Sequence, residues 1–149
     1  MPAFHAPTDQ RTEKAVAVFI APGLEEVEAL ATVDILFRAG IPTTMISVTP
    51  ERTVTSSHNI VVTCDLTLAE ADLADYDMLI FFSPTGVKAL KENIPDFKQG
   101  DIKIAAFDPA TAKEVEAQGL KLDLQAPSKE YPSMTGALRS YLEKQRKEL

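Results

Sequence analysis

The feature that most constrains this chain is an alternation. Short apolar runs are separated by longer segments whose apolar residues recur every three to four positions. Residues 14–20 are an unbroken Val/Ala/Phe/Ile run, as expected of a strand buried on both faces, since a half-exposed strand would alternate with polar residues. Residues 25–39 follow as a predicted helix with Leu30, Val33, Leu36 and Phe37 on one side, and Gly40 stands where a left-handed C-terminal cap is wanted. Residues 43–48 form the next strand, ended by Thr49-Pro50. Two β-prone pieces within residues 53–63 flank Ser56-Ser57-His58-Asn59 and read as a hairpin. Thr67 and Glu70 have capping-box spacing for a short helix.

The same rhythm returns in the second half. Residues 78–82 and 102–107 are strands. Ser83-Pro84 opens a helix carrying Val87, Leu90 and Ile94, and Asp108-Pro109 opens another that ends at Gly119. A short strand at 122–124 precedes a last helix from about Ser133, with Met134, Leu138, Tyr141 and Leu142 on one face. Five strands alternating with five helices predict an α/β fold in three α/β/α layers around a parallel sheet. Right-handed crossovers then favour the flavodoxin-like order 2-1-3-4-5. Residues 14–149 are expected to form one domain, preceded by a polar tail at 1–13 that reads as disordered or cloning-derived.

Charge and cysteine usage exclude several functions. The net charge of −7 opposes binding to a phosphate backbone, which needs a clustered basic surface. The densest basic stretch, Arg139 with Lys144, Arg146 and Lys147, is interleaved with Glu143 and Glu148 and reads as a solvated helix face. A single cysteine allows neither an intramolecular disulfide nor a thiolate metal cluster. No apolar run approaches the ~18–20 residues of a membrane span, so a cytoplasmic protein with no nucleic-acid or membrane partner is expected. Cys64 lies late in the hairpin region and reads as a packed structural thiol. His58 is in the turn and His5 in the tail, neither with a partner at ligand spacing, so no metal and no cofactor are expected.

Two sets of motifs go further. Ala21-Pro-Gly-Leu-Glu-Glu-Val-Glu28, Ala31-Thr-Val-Asp34, Arg38-Ala-Gly-Ile41, Ser47-Val-Thr49, Val54-Thr-Ser-Ser-His58 and Asp75-Tyr-Asp77 follow one another in an order and spacing that resemble the ThiJ/PfpI superfamily, in particular its deglycase and chaperone branch, over residues 14–80. The resemblance implies a cysteine nucleophile on a strained strand-to-helix elbow, with Glu28 as its acidic partner. Here the third strand runs into Phe81-Phe-Ser-Pro-Thr-Gly86 without the family's Pro-Gly-Gly turn. The next strand ends in Ala105-Ala-Phe-Asp-Pro-Ala-Thr111 without a cysteine. Glu25, Glu26 and Glu28 otherwise complement the dipole of the helix they open. The resemblance also implies homodimer pairing through the first helix and the hairpin.

Residues 81–149 resemble a different family, uroporphyrinogen-III synthase, through Phe81-Phe-Ser-Pro-Thr-Gly-Val87, Ile104-Ala-Ala-Phe107, Pro109-Ala-Thr-Ala112, Gln118-Gly-Leu120, Ala126-Pro127 and Pro132-Ser-Met-Thr135. That enzyme closes a tetrapyrrole between two α/β domains, and this chain has room for one, with the synthase domain's own strand arrangement as the alternative to the flavodoxin-like order. Ser83, Thr85, Gly86 and Thr111 would face a ligand by this resemblance, and weak small-anion binding at the helix N-termini would follow. Asp108 stands where the synthase pattern has glycine and would itself occupy the amides an anion needs. Tyr131, in the loop before the last helix, has no feature that makes it catalytic. The expectation is a recombined or engineered chimera, joined near residues 77–81, with an α/β scaffold and no native catalytic function. Residual synthase-like lyase activity or tetrapyrrole binding, or ThiJ/PfpI-like hydrolase or deglycase activity, is the alternative.

Overall fold

A computed structural model describes residues 15–147. The expected tail at 1–13 lies outside them. Strand β1 (Val16–Ile20) is buried along its whole length and lies between β2 (Thr43–Ser47) and β6 (Met78–Phe81), parallel to both. Strands β7 (Lys103–Phe107) and β8 (Leu124–Ala126) continue the sheet from β6, again parallel. The two-residue strand β5 (Leu66–Thr67) pairs with the outer edge of β2. The order β5-β2-β1-β6-β7-β8 therefore contains the expected 2-1-3-4-5 arrangement with one short strand added at its edge. The hairpin of β3 (Thr53–Thr55) and β4 (Val61–Thr63) forms a separate antiparallel pair.

Each sheet face has its own helices, and the period-2 geometry of the strands decides which residues meet them. Ala17, Phe19, Leu79, Phe81, Ile104 and Ala106 point to one side, where they pack with Val87, Leu90 and Val115 of helices α2 (Pro84–Asn93) and α3 (Pro109–Ala117). Val16, Val18, Ile20, Ile80 and Ala105 point to the other, against Ala29 and Leu36 of α1 (Glu26–Arg38) and Met134, Ala137 and Leu138 of α4 (Met134–Lys147). The Phe19 and Phe81 rings, on neighbouring strands, meet at a tilt of 42° with centroids 4.5 Å apart. Acidic side chains finish the strand starts where the ladder runs out. Asp77 accepts the Ala15 N–H at 2.8 Å, Asp65 that of Met45 at 2.9 Å and Asp123 that of Ile104 at 2.9 Å.

Four details differ from the sequence expectations. The short helix expected at Thr67 is a 3-10 turn (Leu68–Glu70), and a second 3-10 turn (Leu73–Asp75) follows, so there are four α-helices rather than five helices of one kind among the described residues. The capping box is nevertheless present, and the Glu70 carboxylate also takes a bidentate Arg52 contact, at 3.1 and 2.7 Å. Phe37 is 76% exposed, because Ala29, Thr32 and Leu36 supply the buried stripe of α1 and Phe37 falls beside it. The last strand lies at Leu124–Ala126 rather than 122–124, because Asp123 uses both its N–H and its carboxylate on Ile104, and pairing starts only beyond it.

Candidate functional site

The carboxyl ends of the parallel strands and the N-termini of the following helices gather along one edge of the sheet. This is where an open α/β sheet carries its ligands. The turn from β7 to α3 is the most unusual point on that edge. Asp108 has φ 85° and ψ 137°, a left-handed backbone conformation at the strand-to-helix elbow. Its own N–H is held by the Ala126 carbonyl at 2.7 Å, and its carboxylate accepts the Ala110 N–H at 3.3 Å as the N-cap of α3. The cap is the one the sequence leads one to expect. The strained φ is not, because aspartate rarely signals it and glycine commonly does. The side chain is exposed. The elbow therefore presents a carboxylate and no thiol.

The only thiol is elsewhere and inert. Cys64 is 3% exposed and packs against the α1/α4 side of the core. Burial, with Asp65 as a second cause, pushes its pKa up to about 12. A thiol so far from ionising is a poor nucleophile.

The four residues expected to face a ligand divide by burial. Ser83 is the half-buried N-cap of α2, its Oγ accepting the Gly86 N–H at 3.3 Å, and Thr85 is exposed. Gly86 is buried, and a Cβ there would meet the Phe81 ring at 3.4 Å and Phe19 at 3.7 Å, so it faces the core. Thr111 is fully buried, and its Oγ1 has no hydrogen-bond partner. Gly86 and Thr111 thus belong to the α2/α3 layer, leaving Ser83 and Thr85 as the accessible pair. The amides an anion would need are partly taken: Ser83 holds that of Gly86 and Asp108 that of Ala110.

Glu28 is not left idle. Its Oε1 accepts the Met134 N–H at 3.1 Å, across 106 positions of sequence, and so caps the first residue of α4. The preceding acids have their own tasks. Glu25 is the N-cap of α1, accepting from Val27 at 3.0 Å and Glu28 at 3.3 Å. Glu26 is 4% exposed and binds Nδ1 of His58 at 2.7 Å. That hydrogen bond is the main reason the Glu26 pKa is lowered and the His58 pKa raised. The Glu26–His58 contact went unseen in the sequence because it bridges 32 positions, between a helix start and a hairpin turn.

The described helices include none long and apolar enough to cross a membrane. A model of the DJ-1/PfpI family matches residues 14–94, from the first strand through α2. Among solved structures, a DJ-1 superfamily protein of Salmonella typhimurium aligns with a TM-score of 0.62 and 32% identity, over 72% of this chain and 62% of that one. DJ-1beta of Drosophila melanogaster aligns with a TM-score of 0.64 at 23% identity, over 73% and 62%. A protease I-type protein of Bacteroides thetaiotaomicron reaches 0.63 at 13% identity over 91% and 99%, a likeness of fold alone. The chain spans about three fifths of the first two structures it matches. With the family match covering more than half of its 149 residues, this chain belongs to the DJ-1/PfpI family.

Proposed function

We propose that this protein is a folded DJ-1/PfpI-type scaffold without cysteine-dependent turnover, completed by a C-terminal half resembling one domain of uroporphyrinogen-III synthase. The observation that carries the reading is Asp108. The elbow keeps the strained backbone that would display a nucleophile, but displays a carboxylate already engaged as a helix cap. Catalysis by an elbow cysteine needs a thiolate beside an acid or a helix N-terminus, and the sole thiol is buried with its pKa at about 12. Glu28, the residue that resembles the family's acidic partner, spends its carboxylate on α4.

The hybrid part of the proposal rests on the synthase-like sequence motifs, and the DJ-1/PfpI family match leaves most of them outside it. It ends at residue 94, ahead of β7. The synthase-like motifs at Ile104, Pro109 and Pro132 lie beyond that point. The match also continues past residue 81 and takes in the Phe81–Val87 motif and α2, so a join at residues 77–81 is not where the family's pattern ends, and any exchange of fragments falls beyond residue 94. A recombined or engineered origin fits a chain in which β6 pairs with β1 on one side and β7 on the other, because both parents are built from the same βα unit.

The test is an activity assay on the purified full chain with a methylglyoxal-derived adduct and, separately, with hydroxymethylbilane. No turnover above the uncatalysed rate is expected with either. Turnover abolished by Asp108→Asn or Glu28→Gln would overturn the proposal and assign that residue a catalytic role.

Pairing with a second copy of the chain is the partner we propose. Val27, Phe37, Ile60 and Val61 are large apolar side chains left 66%, 76%, 46% and 64% exposed, all of them on α1 or the hairpin. Light scattering across a dilution series should show a dimer that Val61→Glu dissociates. A monomer at all concentrations would exclude it.

A further inference from the structure

The turn between β3 and β4 holds an imidazole against two carboxylates. Glu25, Glu26 and His58 each offer a ligand atom within 4.8 Å of the other two. Two observations point beyond an ordinary ion pair. The Glu26 side chain is only 5% exposed, yet its Oε2 is buried with no hydrogen-bond partner while Oε1 alone is used by His58. A buried carboxylate oxygen left without a partner is unfavourable, the more so when it is charged. The second observation is that the backbone brings the groups together before their side chains meet. The Ser57 N–H is bonded to the Leu24 carbonyl at 3.1 Å, and the Gly23 N–H to that of Thr55 at 3.0 Å. Ser56 Oγ then accepts the N–H groups of His58 and Ile60 at 3.3 and 3.2 Å, fixing the turn that carries the imidazole.

We propose that Glu25, Glu26 and His58 bind a divalent transition-metal ion of the Zn²⁺ type where the hairpin turn meets the start of α1. Charge favours it: two carboxylates face one imidazole, so a proton on His58 balances one of them, and a divalent cation balances both. The donor set favours it too. One imidazole nitrogen with carboxylate oxygens suits Zn²⁺ and its neighbours, whereas Mg²⁺ and Ca²⁺ take oxygen ligands almost exclusively. Metal–ligand distances of about 2.0–2.2 Å put tetrahedral donors ~3.4 Å apart. The 2.7 Å between Glu26 and His58 must therefore open slightly, and the His58 side chain, 70% exposed, has room to do so. Each oxygen of Glu25 accepts one amide of α1, which leaves it a lone pair and fixes its direction, as outer-shell bonds do for metal ligands. Binding takes the neutral imidazole, so the proton shared between Glu26 and His58 is released to solvent. Three protein ligands leave a fourth position for water.

Calorimetric titration of the EDTA-treated full chain with Zn²⁺ tests this. One ion per chain with micromolar affinity is expected, and His58→Ala and Glu26→Gln should each weaken it by at least about 30-fold. His5→Ala should leave it unchanged. Because Glu26 is buried and its variant could fail to fold, exposed His58 carries the decision. Zn²⁺ binding that survives His58→Ala, or no binding tighter than roughly 100 μM in the wild-type chain, would overturn the proposal.

Discussion

Asp108 occupies a backbone position suited to glycine. At φ 85° and ψ 137° its Cβ is strained, at a cost of about 1–3 kcal/mol. What it returns is a 3.3 Å cap bond to Ala110, and replacing an aspartate cap by glycine loses only a few tenths of a kcal/mol. Asp108→Gly should therefore stabilise the fold by about 1 kcal/mol, read as a higher urea midpoint at unchanged slope. Asp108→Ala keeps the strain and loses the cap, so it should destabilise by about 1 kcal/mol. A loss of stability in Asp108→Gly as large as that in Asp108→Ala would mean that the cap, not the backbone, dominates this residue. The elbow also predicts a reactivity. Asp108→Cys places a thiol on an exposed turn at the N-terminus of α3, where the amides favour the thiolate. It should react with iodoacetamide far faster than Cys64, which native packing protects; equal rates would show that the elbow is not exposed as described.

Between elements, two carboxylates act as fasteners. The Glu28–Met134 bond ties α1 to α4 at the point where α4 begins, beside the core residues Met134 and Leu138. Glu28→Ala should cost about 1 kcal/mol by removing a cap, with Glu28→Gln close to wild type because its amide oxygen still accepts. Chemical denaturation at one pH separates the two. The Glu26–His58 pair ties the hairpin to α1, and its pH dependence has a definite sign. The His58 pKa is raised above its ordinary 6.5, chiefly by the hydrogen bond to Glu26, with that carboxylate and Glu25 adding electrostatically. Its contribution to stability is therefore complete below the unfolded value and lost as pH rises through the folded one. Glu26, lowered from 4.5, has the reverse dependence and loses its contribution only on acidification. Denaturation midpoints should fall from about pH 6 to pH 8.5, and His58→Gln should flatten that slope; a slope that persists in the variant belongs to another group.

These fasteners also mark the limit of what the sequence disclosed. The helices and strands were legible because apolar periodicity is local, and the sheet order followed from handedness once the βα alternation was seen. Cap residues such as Ser83 and Asp108 were legible for the same reason. The Glu28–Met134 and Glu26–His58 contacts were not, because they join residues 106 and 32 positions apart. Nor was the burial of Gly86 and Thr111, whose resemblance to ligand-facing positions says nothing about how tightly α2 and α3 close over them here. The β8 boundary was missed because Asp123 mimics a strand neighbour with its side chain.

At the scale of the molecule, the two halves of the sequence do not make two folding units. β1 and β6 are the central strands, each paired on both sides, and the β1–β6–β7 ladder crosses from the first half of the sequence into the second. The α1 face of the sheet is finished by Met134, Ala137 and Leu138, all within 1% of complete burial and all from the last helix. Losing even one such side chain to alanine, as in Leu138→Ala, should cost about 2–5 kcal/mol, a large share of a typical domain's stability of about 5–15 kcal/mol. A chain truncated after Ile94, where the family match ends, would lose α4 and β7 together, uncovering Val16, Val18 and Ile80 on one face and the hydrogen-bonding edge of β6. Such a fragment should give collapsed amide dispersion in a two-dimensional NMR spectrum and no cooperative urea transition, while the full chain unfolds in a single step. A fragment that folded by itself would mean that the N-terminal half carries its own core, and that the second half is an appendage rather than the other side of one sheet.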